Sequence, residues 1–129
     1  MVQILVIEDQ QECRENLIEI LELEGYSALG VSNGNEAIAV LSNQHFDLIL
    51  CDVVLYEVSG WEILAHVRTL RRSRKAYLPF AYVTAQAGMV NQQLAMQLGA
   101  DYFITKPYRI KEIRRAIDHL FMLRNLILD

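Results

Sequence analysis

The sequence is short of several things, and each shortage narrows what the chain can be. It has only two cysteines, Cys13 and Cys51, in 129 residues. They share no metal-like spacing with each other or with a histidine, so neither a zinc site nor a disulfide framework is indicated. Free thiols fit a reducing compartment. The two prolines, Pro79 and Pro107, and the six glycines are scattered, which leaves no linker and no low-complexity tract. No apolar run nears the ~20 residues of a membrane span. No basic segment precedes Met1-Val2-Gln3-Ile4, so no signal peptide is expected, and a cytoplasmic location is expected with it. Basic side chains are nearly missing from one half. Residues 1–66 hold twelve acidic residues and one basic residue, Arg14, while residues 67–129 hold four acidic and eleven basic. The net charge of -4 argues against nucleic acid as a direct partner of the domain, yet leaves room for a local basic patch.

What is present describes a globular domain. Hydrophobic residues make up 53% and charged residues 22%, and the length suits one domain over residues 1–129. The organising stretch is Leu48 to Leu55, apolar except for Asp52. A run of this kind reads as a strand buried on both faces. A carboxylate inside it would be costly without a partner, but at the carboxyl end of a strand it would face the crevice where open α/β sheets bind ligands.

Around that strand, Gln3 to Ile7 reads as a first strand, and Gln10 to Glu24 as a helix stopped by Gly25. Tyr26 to Val31 is a second strand, and Ser32-Asn33-Gly34 has the chemistry of a turn and helix cap. A short helix carries Ala37, Val40 and Leu41. A third helix follows Gly60, with Trp61, Leu64 and Val67 inward. Phe80 to Thr84 is a strand, Met89 to Leu98 a helix closed by Gly99, and Tyr102 to Thr105 a fifth strand. A last helix runs from Tyr108 or Arg109 to the end, with Ile110, Ile113, Ile117, Leu120 and Phe121 as its stripe. Met122, Leu123, Leu126, Ile127 and Leu128 spread apolar surface beyond that stripe. Three readings stand for this end: it packs on a partner, it leads toward a further domain, or it is ordinary packing within the domain. Five alternations of strand and helix imply a parallel sheet with helices on both faces. The basic run Arg68, Arg71, Arg72, Arg74 and Lys75 reads as a solvated end of the third helix.

In such a sheet every strand's carboxyl end lies on one edge. Glu8, Asp9, Asp52, Thr84 and Lys106 each fall at such an end, so three carboxylates, a hydroxyl and an ammonium reach one rim. Crowded carboxylates repel, and a hard divalent cation such as Mg2+ relieves that. With Lys106 able to meet a dianion, this is an inventory for phosphoryl transfer: a carboxylate nucleophile, a metal and a neutralising cation.

These residues carry a family resemblance. The segment Ile4-Leu5-Val6-Ile7-Glu8-Asp9, the Asp52 strand with Gly60 eight residues on, Gly60-Trp61-Glu62-Ile63-Leu64, Val83-Thr84-Ala85 and the segment Gly99 to Pro107 together resemble the receiver domain of two-component response regulators, end to end. The resemblance implies a flavodoxin-like, doubly wound (βα)5 fold with sheet order 2-1-3-4-5. It implies that Asp52 takes a phosphoryl group from a sensor histidine kinase or histidine phosphotransfer protein. Mg2+ (or Mn2+) would be held by Asp9, Asp52 and the backbone carbonyl of Val54, with Glu8 acting through water. Lys106 would contact the phosphoryl group, and a cis bond before Pro107 is common in the family. Thr84 and Phe103 would form the switch, and Val54 and Gln86 would tune the phosphorylated lifetime. Signal output, often by homodimerisation, would use the fourth helix, fifth strand and fifth helix, where Asn91, Tyr102, Arg114 and Arg115 fall.

Three positions depart from the family pattern: Tyr56 stands where proline is usual, Glu8 where aspartate is commoner, and the aromatic switch is Phe103 without a hydroxyl. An apolar Val54 cannot orient an attacking water, so a lifetime of minutes or longer is expected. The chain is expected to be a signalling protein and not an enzyme beyond its own phosphorylation and slow autodephosphorylation. An aspartyl-phosphate hydrolase would want a second acid where Val54 stands. A flavodoxin-like cofactor site would want a hydroxyl- and glycine-rich loop where Glu8 and Asp9 stand. A phosphorylation-independent docking module is the remaining alternative.

Overall fold

The computed structural model describes residues 2–70, 77–86 and 88–128, the side chains of 126–128 excepted. Its elements run β1 (Gln3–Ile7), α1 (Gln11–Leu23), β2 (Ser27–Val31), α2 (Gly34–Asn43), β3 (Leu48–Cys51), α3 (Gly60–Thr69), β4 (Phe80–Thr84), α4 (Met89–Gln97), β5 (Tyr102–Thr105) and α5 (Ile110–Leu128). The five strands are parallel in the order β2-β1-β3-β4-β5, as the alternation and the resemblance imply.

Period-two alternation divides the strands between two cores. Leu5, Ile7, Ile49, Cys51, Phe80 and Tyr82 face α2, α3 and α4. Ile4, Val6, Leu48, Leu50, Ala81 and Val83 face α1 and α5. Most of these strand residues are almost wholly buried, each aliphatic one contributing roughly 2 kcal/mol relative to exposure. Local chemistry sets the helix ends. Asn33 caps α2 by accepting from Glu36 N at 2.8 Å, and Ser59 caps α3 by accepting from Glu62 N at 3.3 Å. Gly25 and Gly99 close α1 and α4 with φ of 94° and 106°, a conformation that costs glycine little.

Three expectations need correction. The run Leu48 to Leu55 is not one strand: β3 ends at Cys51, and Val54 is 55% exposed. The chain turns there because the start of α3 folds back on it, as described below. Ile110 is half exposed, so the buried stripe of α5 begins at Ile113. Arg68 is not a solvated helix end. Its guanidinium donates to Gly99 O at 2.8 and 3.0 Å, to Leu78 O at 2.8 Å and to Asp101 Oδ2 at 3.0 Å, tying α3 to the flanks of β4 and β5. The rest of that run, Arg71 to Lys75, lies outside the described residues, as do the side chains of Leu126, Ile127 and Leu128.

Candidate functional site

Asp52 extends β3 by one rung, its N–H donating to Ile7 O at 3.0 Å, and there the ladder stops. Gly60 N–H donates to Val53 O at 2.9 Å, which brings the first turn of α3 against the loop. A Cβ at Gly60 would stand 2.3 Å from Asp52 O and 2.8 Å from Val53 Cα, so only glycine allows this approach. The Asp52 side chain is consequently held at the floor of a crevice, with the residue 8% exposed. Its Oδ1 accepts from Val54 N at 3.1 Å, and its Oδ2 accepts from Lys106 Nζ at 2.9 Å.

Lys106 follows β5, its N–H donating to Thr84 O at 2.9 Å, and it precedes Pro107 through a cis peptide bond as expected from the resemblance. Its ammonium pairs with Glu8 Oε1 as well as with Asp52. Burial alone would lower the Lys106 ammonium, but the hydrogen bonds and charges of Glu8 and Asp52 override it, and its pKa lies well above the ordinary lysine value. Glu8, 4% exposed, goes the other way: burial raises its carboxyl more than Lys106 lowers it.

The remaining sequence-derived residues divide between two sides of this pair. Asp9 is exposed and, with Asp52, Val54, Thr84, Gln86 and Lys106, lines an open cleft of about 230 Å³. Glu8 lines a smaller pocket of about 10 Å³ on the other side, together with Cys13, Leu17, Asp52, Lys106 and Tyr108. Thr84 is buried, its hydroxyl accepting from Gln86 N at 3.2 Å. Phe103 stands apart from the cleft, half-buried, its ring 6.2 Å from that of Tyr82.

The sequence brings the five groups to one rim, but among the described residues no three His, Cys, Asp or Glu side chains converge as a metal nest. Lys106 stands between Glu8 and Asp52 instead. The donor set of the open cleft nevertheless suits Mg2+: two carboxylates and backbone oxygen, no thiol or imidazole, and space for the waters this ion keeps. Sequence reasoning missed two contributors. Gly60 was legible as a motif residue, but its seat on the backbone of Asp52 was not. Tyr82 gave no signal beyond an aromatic in a buried strand.

Residues 4–118 match the family described as the response regulator receiver domain. The chain belongs to that family. Among curated relatives, the response regulator SaeR of Staphylococcus aureus is 32% identical over 120 residues, covering 93% of this chain and 50% of SaeR. The chain thus spans about half the length of the curated relatives it matches. Among solved structures, a CheY-like receiver domain from Methanospirillum hungatei superposes with a TM-score of 0.87 at 26% identity, covering 97% of both chains. The response regulator TrrA of Thermotoga maritima, solved in complex with Mg2+-BeF, gives a TM-score of 0.81 at 27% identity, over 93% of this receiver chain and 99% of TrrA. No described helix of this receiver domain is long and apolar enough to cross a membrane.

Proposed function

We propose that Asp52 accepts a phosphoryl group from a phosphohistidine on a sensor kinase or histidine phosphotransfer protein. The carrying observation is the bond from Lys106 Nζ to Asp52 Oδ2 at the edge of an open cleft, which places a permanent cation beside a carboxylate on the cleft's lining. One Asp52 oxygen bonds to phosphorus as the donor's phosphorus–nitrogen bond breaks, and the departing imidazole takes its proton from solvent. The Val54 N–H and Lys106 orient the carboxylate before attack, and Lys106 neutralises charge added there. Asp9, Asp52 and the Val54 carbonyl would hold Mg2+ (or Mn2+), with Glu8, engaged by Lys106 here, acting only through water, and the ion would supply further neutralisation of the phosphoryl oxygens. The complex of TrrA with Mg2+-BeF supports the choice of ion.

The new dianion draws the Thr84 hydroxyl from Gln86 N, and Phe103 follows into the space vacated, which makes the pair a two-state element biased by charge. Output passes through α4, β5 and α5. Support for this face comes from α4, which carries no charged residue and leaves Met89 and Val90 about three-quarters exposed. A second copy of the chain, or the part of a longer regulator beyond this domain, is the partner proposed there. The chain acts as a signalling switch whose only chemistry is its own phosphorylation and slow hydrolysis.

The test uses a small-molecule phosphodonor with Mg2+, wild type beside Asp52→Asn, read by intact mass. Uptake of one phosphoryl group by wild type alone supports the proposal. No uptake by wild type would favour a docking module that works without phosphate.

A further inference from the structure

Tyr82 is fully buried in the middle of β4, in register with Cys51 of β3 and one residue short of Asp52 across the sheet. A phenol at such a position must find a partner for its hydroxyl, because no water reaches it. The partner is Gly60 O, at 2.7 Å. Burial also pushes the phenol far above its ordinary value, so the group is a permanent donor.

Gly60 is the residue on which the acceptor loop rests. Its N–H holds Val53 O at 2.9 Å, and its Cα sits against Asp52 O with no room for a methyl. The same glycine is therefore gripped at its carbonyl by Tyr82 and at its amide by the loop bearing Asp52 and Val54. The Tyr82 ring meets three further rings, one of them Phe80 of its own strand, with centroids 5.0 Å apart. Trp61, on the first turn of α3, lies edge-on with centroids 5.0 Å apart, and Phe103 on β5 lies 6.2 Å away. Packing alone would be served by phenylalanine. As the first residue of α3, Gly60 has a carbonyl that the helix ladder already uses, so the helix does not need a second donor there. The hydroxyl makes sense as a fixture for the loop.

We propose that the Tyr82 hydroxyl is a positioning group for phosphoryl acceptance: through Gly60 it fixes the backbone from Asp52 to Val54. The proposal rests on the reading of Asp52 as acceptor. It is tested with Tyr82→Phe, which keeps the ring, beside Tyr77→Phe, which removes a hydroxyl bonded to Asp101 away from the cleft. Three quantities are measured for each: melting temperature, the Mg2+ dissociation constant by calorimetry, and the rate of phosphoryl uptake from acetyl phosphate at low and saturating donor. Displacement of an outer support of a metal site costs about tenfold in affinity, and one step further out about fivefold is expected for Tyr82→Phe, with a matching fall in uptake rate. Tyr77→Phe lowers the melting temperature and leaves both functional values unchanged. Wild-type Mg2+ affinity in Tyr82→Phe, or equal functional losses in the two variants, would overturn the proposal. Failure of wild type to label on Asp52 would instead sink the acceptor reading, and the Mg2+ ratio still judges Tyr82 by itself.

Discussion

Lys106 Nζ lies 2.9 Å from Asp52 Oδ2 and also pairs with Glu8 Oε1, so a single ammonium serves two carboxylates delivered by different strands. These three side chains are largely shielded, none more than 19% exposed. Removing the cation from such a cluster costs more than the pair contributes, because two buried charges are left unanswered.

Lys106→Met is therefore expected to lower stability by about 2 kcal/mol at neutral pH in urea unfolding. The loss shrinks in acid, because the Glu8 carboxyl, already raised by burial, takes up a proton first. Adding Glu8→Gln to Lys106→Met recovers part of the stability at neutral pH. Equal losses in the single and double variants would show that the pairing carries no weight.

Gly60→Ala places a methyl against the backbone of Asp52 and Val53, which cannot yield as a flexible side chain would. A cost of about 2 kcal/mol is expected from the overpacking alone. The sharper expectation is functional: phosphoryl uptake falls even at temperatures where the variant is fully folded by circular dichroism. Normal uptake by the folded variant would contradict the tight seat of α3 on the acceptor loop.

Asp47 anchors the opposite edge of the sheet. Its Oδ2 accepts from Gln3 N at 2.9 Å, while Arg124 and His45 meet Oδ1 at 2.9 and 3.1 Å. Burial would raise this carboxyl, but those partners outweigh it and the net shift is downward. A lowered carboxyl stabilises the fold above its unfolded value, near 3.8, and loses that contribution as pH falls through the folded value. Asp47→Asn is thus expected to cost about 1–2 kcal/mol at neutral pH, with the gap to wild type closing below that value. A gap that persists unchanged into acid would contradict the charge assignment.

Val54 borders the cleft with an apolar, half-exposed side chain that cannot align a water on the acyl phosphate. Wild type is expected to keep its label for minutes or longer in Mg2+ buffer. Val54→Asn, which supplies a polar group there, is expected to shorten that lifetime about tenfold. Loss of wild-type label within seconds would contradict the role given to Val54.

Much of this was legible in the sequence, for reasons that also explain the misses. β4 and β5 are bounded by Pro79, Gly99 and Pro107, and their limits fall where expected. The run Leu48 to Leu55 was misleading because an apolar stretch carries no sign of where a strand stops. The stop is imposed by Gly60, eight residues on. Glu8 and Asp9 read as one acidic pair, yet consecutive residues of extended chain point to opposite sides. Glu8 continues the Ile4, Val6 face into the smaller pocket, and Asp9 enters the open cleft. Lys106 and Thr84 were identified by lying at strand ends. Tyr82 was not, because its partner is chosen by the packing of α3 and by nothing local to β4.

The most direct measurement phosphorylates the protein with a small-molecule donor, reduces the acyl phosphate with borohydride and sequences the peptides by mass spectrometry. The account predicts homoserine at position 52 alone, dependent on Mg2+ and missing from the Lys106→Met protein. Homoserine at Asp9 or Asp47, or none at any aspartate of a folded and metal-supplied sample, would contradict it.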